Sequence, residues 1–389
     1  MPHPDARRPV AVLYGTRPEA VKMAPVVRAL AESKTLRPVV VTSGQHREML
    51  DQVNEVFGIR PDHDLGIFRH GQTLDDVTSG ALRGFGAYLD EHPVDAVVVQ
   101  GDTTTAFAGA LAAFYRKTPV VHVEAGLRTG DLGSPFPEEG NRRLVGAIAA
   151  RHCAPTVRAA SNLLGEGIPA DRVLVTGNTV IDALLHTANL GQRTGDAVVD
   201  EAVDQRRRIV VVTAHRRESW GTGMAEIGAA VARIALCQPD VLVVVPLHRN
   251  PVVRRTLEPL IAGLPNVHVT EPMSYGPFCH LLARSTLVLT DSGGIQEEAP
   301  ALDVPVVVMR ETTERQEAVE TGAAVLVGTD QDLIVRTVRR LLVDEAAHAR
   351  MAQAHNPFGD GRAALRVLDA ISEVTTGAPR TASRLLRAS

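Results

Sequence analysis

Short apolar runs recur along the whole chain. In the first half they are Val10–Tyr14, Pro38–Thr42, Ala96–Gln100, Val120–Val123 and Val173–Val175; in the second, Ile209–Thr213, Val241–Pro246, Val267–Val269, Thr286–Thr290 and Val304–Met309. Runs such as VVVQ, VLVVVP and VPVVVM do not alternate in polarity. Strands buried on both faces read this way, and parallel sheets are made of them. Helical patterns separate the runs, so strand and helix alternate and the class is α/β with doubly wound parallel sheets. One stretch, GQRTGDAVVDEAVDQRRR, is polar and charged, and the strand pattern restarts behind it. It predicts two domains, 1–190 and 191–389, whose sheet halves face one another across a cleft. The small, polar, basic tail from Gly377 reads as frayed.

Length and charge narrow the classes. A chain of 389 residues fits two domains of ordinary size. Its 41 basic and 45 acidic side chains leave a net charge of −4, a poor surface for nucleic acid. No apolar run reaches the ~18–20 residues that span a bilayer. The start, MPHPDARRPVAVLYG, enters a strand without a signal-peptide pattern, which predicts the cytoplasm. Cys153, Cys237 and Cys279 are odd in number and widely spaced, hence no disulfide framework. The 14 histidines show no HExxH or similar spacing, so they read as surface or core histidines and no metal is expected.

In open α/β sheets ligands sit beyond the carboxyl ends of the strands, where helix N-termini point. The residues after each predicted strand are therefore the candidates. GTRPEAVKMAPVV follows the first strand and carries Arg17 and Lys22 in the first turns of a helix; the pair suits a phosphate, or is an ordinary solvated βα turn. It is not the GxGxxG fingerprint of a nicotinamide site. GDTTT places Asp102 at a strand tip, where it caps a helix or does chemistry. Glu124 ends another strand, and Glu138 opens a helix in a Gly/Pro-rich loop. Three carboxylates converging there would separate their pKa values, letting an acid and a base coexist. In the second half, AHRRESWG brings His215 and Arg216 to a strand tip, PLHRNP brings His248, and RETTER brings Arg315. DSGGIQEEAP opens a helix with Ser292, Gly293 and Gly294, whose bare N–H groups suit a diphosphate, and a glutamate one turn on suits ribose hydroxyls.

These segments together, with SGQHREMLDQV, TGNTVIDAL and HVEAGLRTGDLGSPFPEEGNRR, closely resemble the bacterial non-hydrolysing UDP-N-acetylglucosamine 2-epimerases, from about Val10 to Asp330 and in the same order. The resemblance implies a GT-B architecture of two Rossmann-like domains, a homodimer, and interconversion of UDP-N-acetylglucosamine and UDP-N-acetylmannosamine without metal or nicotinamide. It implies Arg17 and Lys22 near the nucleotide sugar, and Asp102, Glu124 and Glu138 in catalysis. His215 also counts among the catalytic residues and falls near the diphosphate, beside Ser292, Gly293, Gly294 and Arg315; Glu298 falls at the ribose and Phe278 at the uracil. The last helix is expected to pack back on the N-terminal domain. Some members bind a second UDP-N-acetylglucosamine as activator. Gln45, Arg216 and His248 match part of that site, while Gly71 stands where an arginine occurs in some members, which leaves activation open.

The implied chemistry is elimination of UDP to a 2-acetamidoglucal, then re-addition. A hydrolysing epimerase, an enzyme for another UDP-2-acetamido sugar, and a GT-B glycosyltransferase share much of this pattern. So does a catalytically silent sensor, which would have no need of all three carboxylates.

Overall fold

The computed structural model describes residues 6–44, 47–67, 69 and 71–377. The apolar runs are strands. β1 (Arg8–Tyr14), β2 (Leu36–Thr42), β3 (His63–Asp64), β4 (Ala96–Gln100), β5 (Val120–Val123), β6 (Arg151–Ala154) and β7 (Val173–Val175) form one sheet, ordered β3-β2-β1-β4-β5-β6-β7. β8 (Ile209–Thr213), β9 (Leu242–Pro246), β10 (Val267–Thr270), β11 (Leu287–Thr290), β12 (Val306–Val308) and β13 (Ala324–Leu326) form a second, ordered β10-β9-β8-β11-β12-β13. Every strand pairing in both is parallel. In each sheet the first strand lies inside and the order reverses beside it, the Rossmann arrangement. The switch points therefore fall between β1 and β4 and between β8 and β11, where this fold binds ligands.

Local chemistry starts the helices at these strand tips. Thr16 caps the helix Arg17–Glu32 in a capping box with Glu19, and Thr103 caps Thr104–Tyr115 by accepting from Ala106 N at 3.0 Å. The alanine-rich Thr104–Tyr115 helix lies hard against β1, since a Cβ on Gly109 would sit 2.1 Å from Leu13 Cδ2. Leu13, Val41, Phe85, Val97, Val99 and Val145 belong to the first core; Val210, Val212, Met224, Ile227, Leu289 and Val307 belong to the second.

The chain divides into two compact units. One takes it up to Ala183 and again from Phe358; the other is Leu184–Pro357. The first crossing lies within the helix Thr179–Asn189, ahead of the expected cut between 190 and 191. Nothing in TVIDALLHTAN breaks a helix, so the polar stretch, which itself holds the short helix Ala197–Asp204, lies after the change of unit. The expected second domain, 191–389, is shortened likewise. The helix Ala363–Thr376 belongs to the first unit, against Arg17–Glu32 and β4–β6. The tail beyond Gly377 lies outside the described residues. No helix among those residues is long and apolar enough to cross a membrane.

Candidate active site

In the first unit, Gly15 and Thr16 turn from β1 into the helix Arg17–Glu32. Buried Glu19 accepts the N–H groups of Gly15 at 3.1 Å and Thr16 at 2.8 Å, and the Thr103 hydroxyl at 2.6 Å. One carboxylate thereby joins the loops after β1 and β4. From the same helix, Lys22 Nζ reaches Glu124 Oε1 at 2.5 Å. Arg17 is half-buried and has no hydrogen-bond or ion-pair partner among the described residues.

Glu124 follows β5 with φ +60°, a left-handed conformation that a non-glycine residue holds only when its surroundings fix it. Besides Lys22, its carboxylate accepts from Asn178 Nδ2 at 3.0 Å and from Gln100 Nε2. Asp102, after β4, accepts from Arg142 Nε at 3.0 Å and from Arg142 Nη2. Burial raises the Asp102 carboxyl above the usual carboxylate range; Arg142 pulls it down, and the Glu124 charge pushes it up again. Arg142 also donates to Glu139 Oε2 at 3.2 Å. Fully buried Glu139 takes Arg143 at 3.1 Å and the Thr129 N–H at 3.1 Å as well, so its role is to brace the loop. Glu138 opens the helix Glu138–Ile148 one turn before Arg142. Its Oε2 is buried with no hydrogen-bond partner among the described residues. A buried carboxylate oxygen left bare costs stability unless a proton or a ligand hydroxyl meets it.

In the second unit the hub is Asp291, wholly buried after β11. Its Oδ2 accepts the N–H groups of His215 at 2.7 Å and Arg216 at 2.8 Å, and its Oδ1 lies 3.0 Å from His215 Nδ1. Burial opposes its charge, but these bonds outweigh burial and hold the carboxyl below its ordinary value. The Arg216 guanidinium returns to the Asp291 carbonyl at 3.3 Å. The His215 ring stacks on His248, with centroids 5.5 Å apart. His248 Nδ1 accepts the Asn250 N–H at 3.1 Å, which leaves Nε2 to carry the proton of the neutral ring. Burial, then the neighbouring His215, lowers the His248 pKa.

Ser292 precedes the helix Gly293–Glu298, and its N–H is taken by Thr290 Oγ1 at 2.9 Å. The Arg315 guanidinium lies against Gly293: a Cβ there would meet Arg315 Cζ at 3.2 Å and Nη1 at 3.3 Å. Arg315 Nε donates to buried Glu297 Oε1 at 2.8 Å. Gly294 is exposed and Glu298 half-buried at the end of that helix; Phe278 is half-buried in the helix Tyr275–Arg284. Gln45 lies outside the described residues.

The family model for UDP-N-acetylglucosamine 2-epimerase matches residues 28–372. The chain belongs to that epimerase family. It is therefore an enzyme of the isomerase class. The UDP-N-acetylglucosamine 2-epimerase of Escherichia coli strain K12 is 49% identical over 367 residues, covering 93% of this chain and 98% of that one. The crystal structure of the Neisseria meningitidis UDP-GlcNAc 2-epimerase bound to UDP-GlcNAc is 43% identical, with TM-score 0.82, over 94% of this chain and 100% of that one. The Methanocaldococcus jannaschii UDP-GlcNAc 2-epimerase, in complex with UDP-GlcNAc and UDP, is 31% identical with TM-score 0.73, over 94% and 99%. The two Rossmann-like domains are those of GT-B-like epimerases.

Within this epimerase chain the first unit ties Lys22, Asp102 and Glu124 into one electrostatic group, with Glu138 on the helix that supplies Arg142. The second unit gathers His215, Arg216 and His248 around Asp291, and Gly293 with Arg315. Motif spacing alone does not single out Asp291, Asn178, Glu19 or Arg142. Asp291 carried a usable signal, a carboxylate directly at a buried strand tip, as for Glu124. The other three act through partners distant in sequence, which spacing does not reveal.

Proposed function

We propose that this chain interconverts UDP-N-acetylglucosamine and UDP-N-acetylmannosamine without releasing UDP. The C2 proton of the sugar is not acidic while C1 carries UDP, because no carbonyl adjoins that carbon. Breaking the C1–O bond, with its electron pair leaving on the β-phosphate oxygen, makes C1 cationic and acidifies C2–H. A carboxylate takes that proton and the C1=C2 bond of 2-acetamidoglucal forms. A second carboxylate returns a proton to the opposite face of C2, and the UDP oxygen re-adds at C1. The observation that carries this reading is the unequal state of the three carboxylates. Glu124, held by Lys22, Asn178 and Gln100, suits a fixed negative charge beside the cationic centre. Asp102, with its raised pKa, and Glu138, with a bare buried oxygen, suit the carrying of protons. Arg17, Lys22, His215, Arg315 and the Ser292–Gly294 turn would stabilise the departing diphosphate, with Glu298 at the ribose and Phe278 at the uracil.

The homodimer belongs to the same proposal. Phe114 and Tyr115, 50% and 65% exposed, end one helix of the first unit, and Leu144, 51% exposed, lies on the helix packed beside it. Exposed apolar side chains on neighbouring helices suit an association surface. Work on a nucleotide sugar also fits the cytoplasm.

Proton NMR of UDP-N-acetylglucosamine with the enzyme in D₂O tests the reaction. Deuterium at C2 with UDP still on an N-acetylmannosamine product is the expected result. Free UDP with free N-acetylmannosamine would refute the non-hydrolysing reading, and absence of exchange would refute the substrate. Asp102→Asn, Glu124→Gln and Glu138→Gln should each lower turnover at least ~100-fold; near-normal turnover removes that residue from the mechanism. Initial rates that rise sigmoidally with UDP-N-acetylglucosamine would add the activator role for Arg216 and His248.

A further inference from the structure

Glu124 keeps its left-handed backbone and its aim because fixed donors surround it, and one of these donors has an unusual support. Asn178 follows β7 and is 3% exposed. Its Oδ1 accepts the Val180 N–H at 3.1 Å, while its Nδ2 donates to Glu124 Oε1 at 3.0 Å. The two partners fix the amide orientation, because the N–H needs the oxygen and the carboxylate needs the nitrogen. The Asn178 backbone is fixed from elsewhere in the chain: its N–H donates to the Phe358 carbonyl at 2.6 Å.

Phe358 begins the segment by which the chain re-enters the first unit. That segment is laced to the residues around Asn178. A Cβ on Gly177, whose φ is +84°, would lie 3.2 Å from Gly359 Cα and 3.3 Å from the Phe358 carbonyl oxygen, so only glycine allows the approach. Asp182 accepts the N–H groups of Ala363 at 3.1 Å and Ala364 at 2.9 Å, capping the helix Ala363–Thr376. Arg366 donates to the Thr176 carbonyl at 3.1 Å and pairs with Asp360.

We propose that Asn178 is a positioning residue for Glu124, and that the re-entering segment Phe358–Ala364 sets Asn178. Residues nearly the whole chain apart then converge on one side chain. Lys22, Gln100 and Asn178 hold the carboxylate, and the C-terminal segment holds Asn178. Its effect on turnover rests on the epimerase reading above; its effect on the place of Glu124 does not.

The test uses the full chain with Asn178→Ser and Asn178→Asp. Serine and aspartate cap a helix about as well as asparagine, so both keep the bond to Val180 N–H. Serine is too short to reach Glu124, and aspartate puts a second carboxylate against it. Asn178→Ser should keep the thermal midpoint and the UDP affinity by calorimetry. Its kcat should fall ~10–100-fold, the scale of an ångström's misplacement, with KM changed less than about 3-fold. Asn178→Asp should lose more. Asp182→Ala, which loosens only the re-entering segment, should lower kcat in the same direction. A crystal structure of Asn178→Ser should show the Glu124 carboxylate displaced. Glu124 unmoved there, or kcat within about 2-fold of wild type, overturns the role. Equal losses in the two variants with a lowered midpoint would also overturn it, by reducing Asn178 to a cap. An unchanged kcat in Asp182→Ala overturns the part given to the segment. A wild-type chain that does not turn over UDP-N-acetylglucosamine refutes the epimerase reading instead, and the Glu124 coordinates still decide this one.

Discussion

Gly293→Ala is a sharp probe of the proposed diphosphate seat, because the position of Arg315 fixes what the added methyl meets. The Cβ would stand 3.2 Å from Arg315 Cζ, 3.3 Å from Nη1 and 3.4 Å from Nε, each tighter than ordinary contact. No positive φ burdens the position, so the cost falls on the guanidinium, which must retreat a few tenths of an ångström. The Arg315 Nε bond to Glu297, now 2.8 Å, has about that much slack before it leaves the usual range. The chain should therefore fold with a near-normal melting temperature while Arg315 stands away from the turn. A charge-assisted hydrogen bond is worth ~1.5–3 kcal/mol, so Arg315→Ala should weaken UDP binding by about ten- to a hundredfold. Gly293→Ala, which displaces the group without deleting it, should cost about three- to tenfold. Calorimetric titration with UDP on both single variants and the double variant closes a mutant cycle. With Arg315 gone the methyl has nothing to push, so the double variant should bind no worse than Arg315→Ala. Additive losses, or wild-type affinity in Gly293→Ala, would refute the assignment of Arg315 to that turn.

Three further outcomes are expected. Arg142→Met leaves burial and the Glu124 charge to hold the proton on Asp102, so the pH dependence of C2 exchange should move to higher pH; an unmoved profile would remove Asp102 from the titrating pair. The pKa of Asp291 is depressed in the folded chain, so its charge stabilises the fold above about pH 4 and that contribution fades as pH falls through the folded value. Asp291→Asn should thus melt lower than wild type at pH 7, by the equivalent of ~1.5–3 kcal/mol, with the gap narrowing toward pH 3; a gap constant with pH would refute it. Phe114→Glu combined with Leu144→Glu should turn a dimer into a monomer in light scattering, and a dimer that persists would place the interface elsewhere.

The sheets were legible because most strands are valine-rich and buried on both faces, and AVVVQ or IVVVT has no other comfortable place. Three strands escaped. β3 is two residues long, β6 reads RHCA, and β13 is three residues inside a run of small apolar ones. Each adds at a sheet position already templated by a neighbour, so pairing decides it and propensity does not. For the candidate residues, a place at a strand tip was legible by the same logic, since a parallel sheet delivers its loops to one edge. The paired state of each was not. That Glu297 takes Arg315 while Glu298 stays half-buried, or that Asp102 is clasped by Arg142, follows from helix rotation and packing, which the spacing of motifs leaves open.

The re-entry of the chain at Phe358 has a further consequence, for the order of events at the ribosome. The helix Ala363–Thr376 covers β4–β6 and the Arg17–Glu32 helix with Ala363, Ala364, Val367, Ala370 and Ile371 buried. Until those residues emerge, the earliest-made sheet waits with one apolar flank bare, while Leu184–Pro357 is one unbroken stretch of chain. Synthesis would thus finish the middle of the chain before its beginning. A nascent or truncated product lacking the final turns would be the species most exposed to chaperones and to self-association.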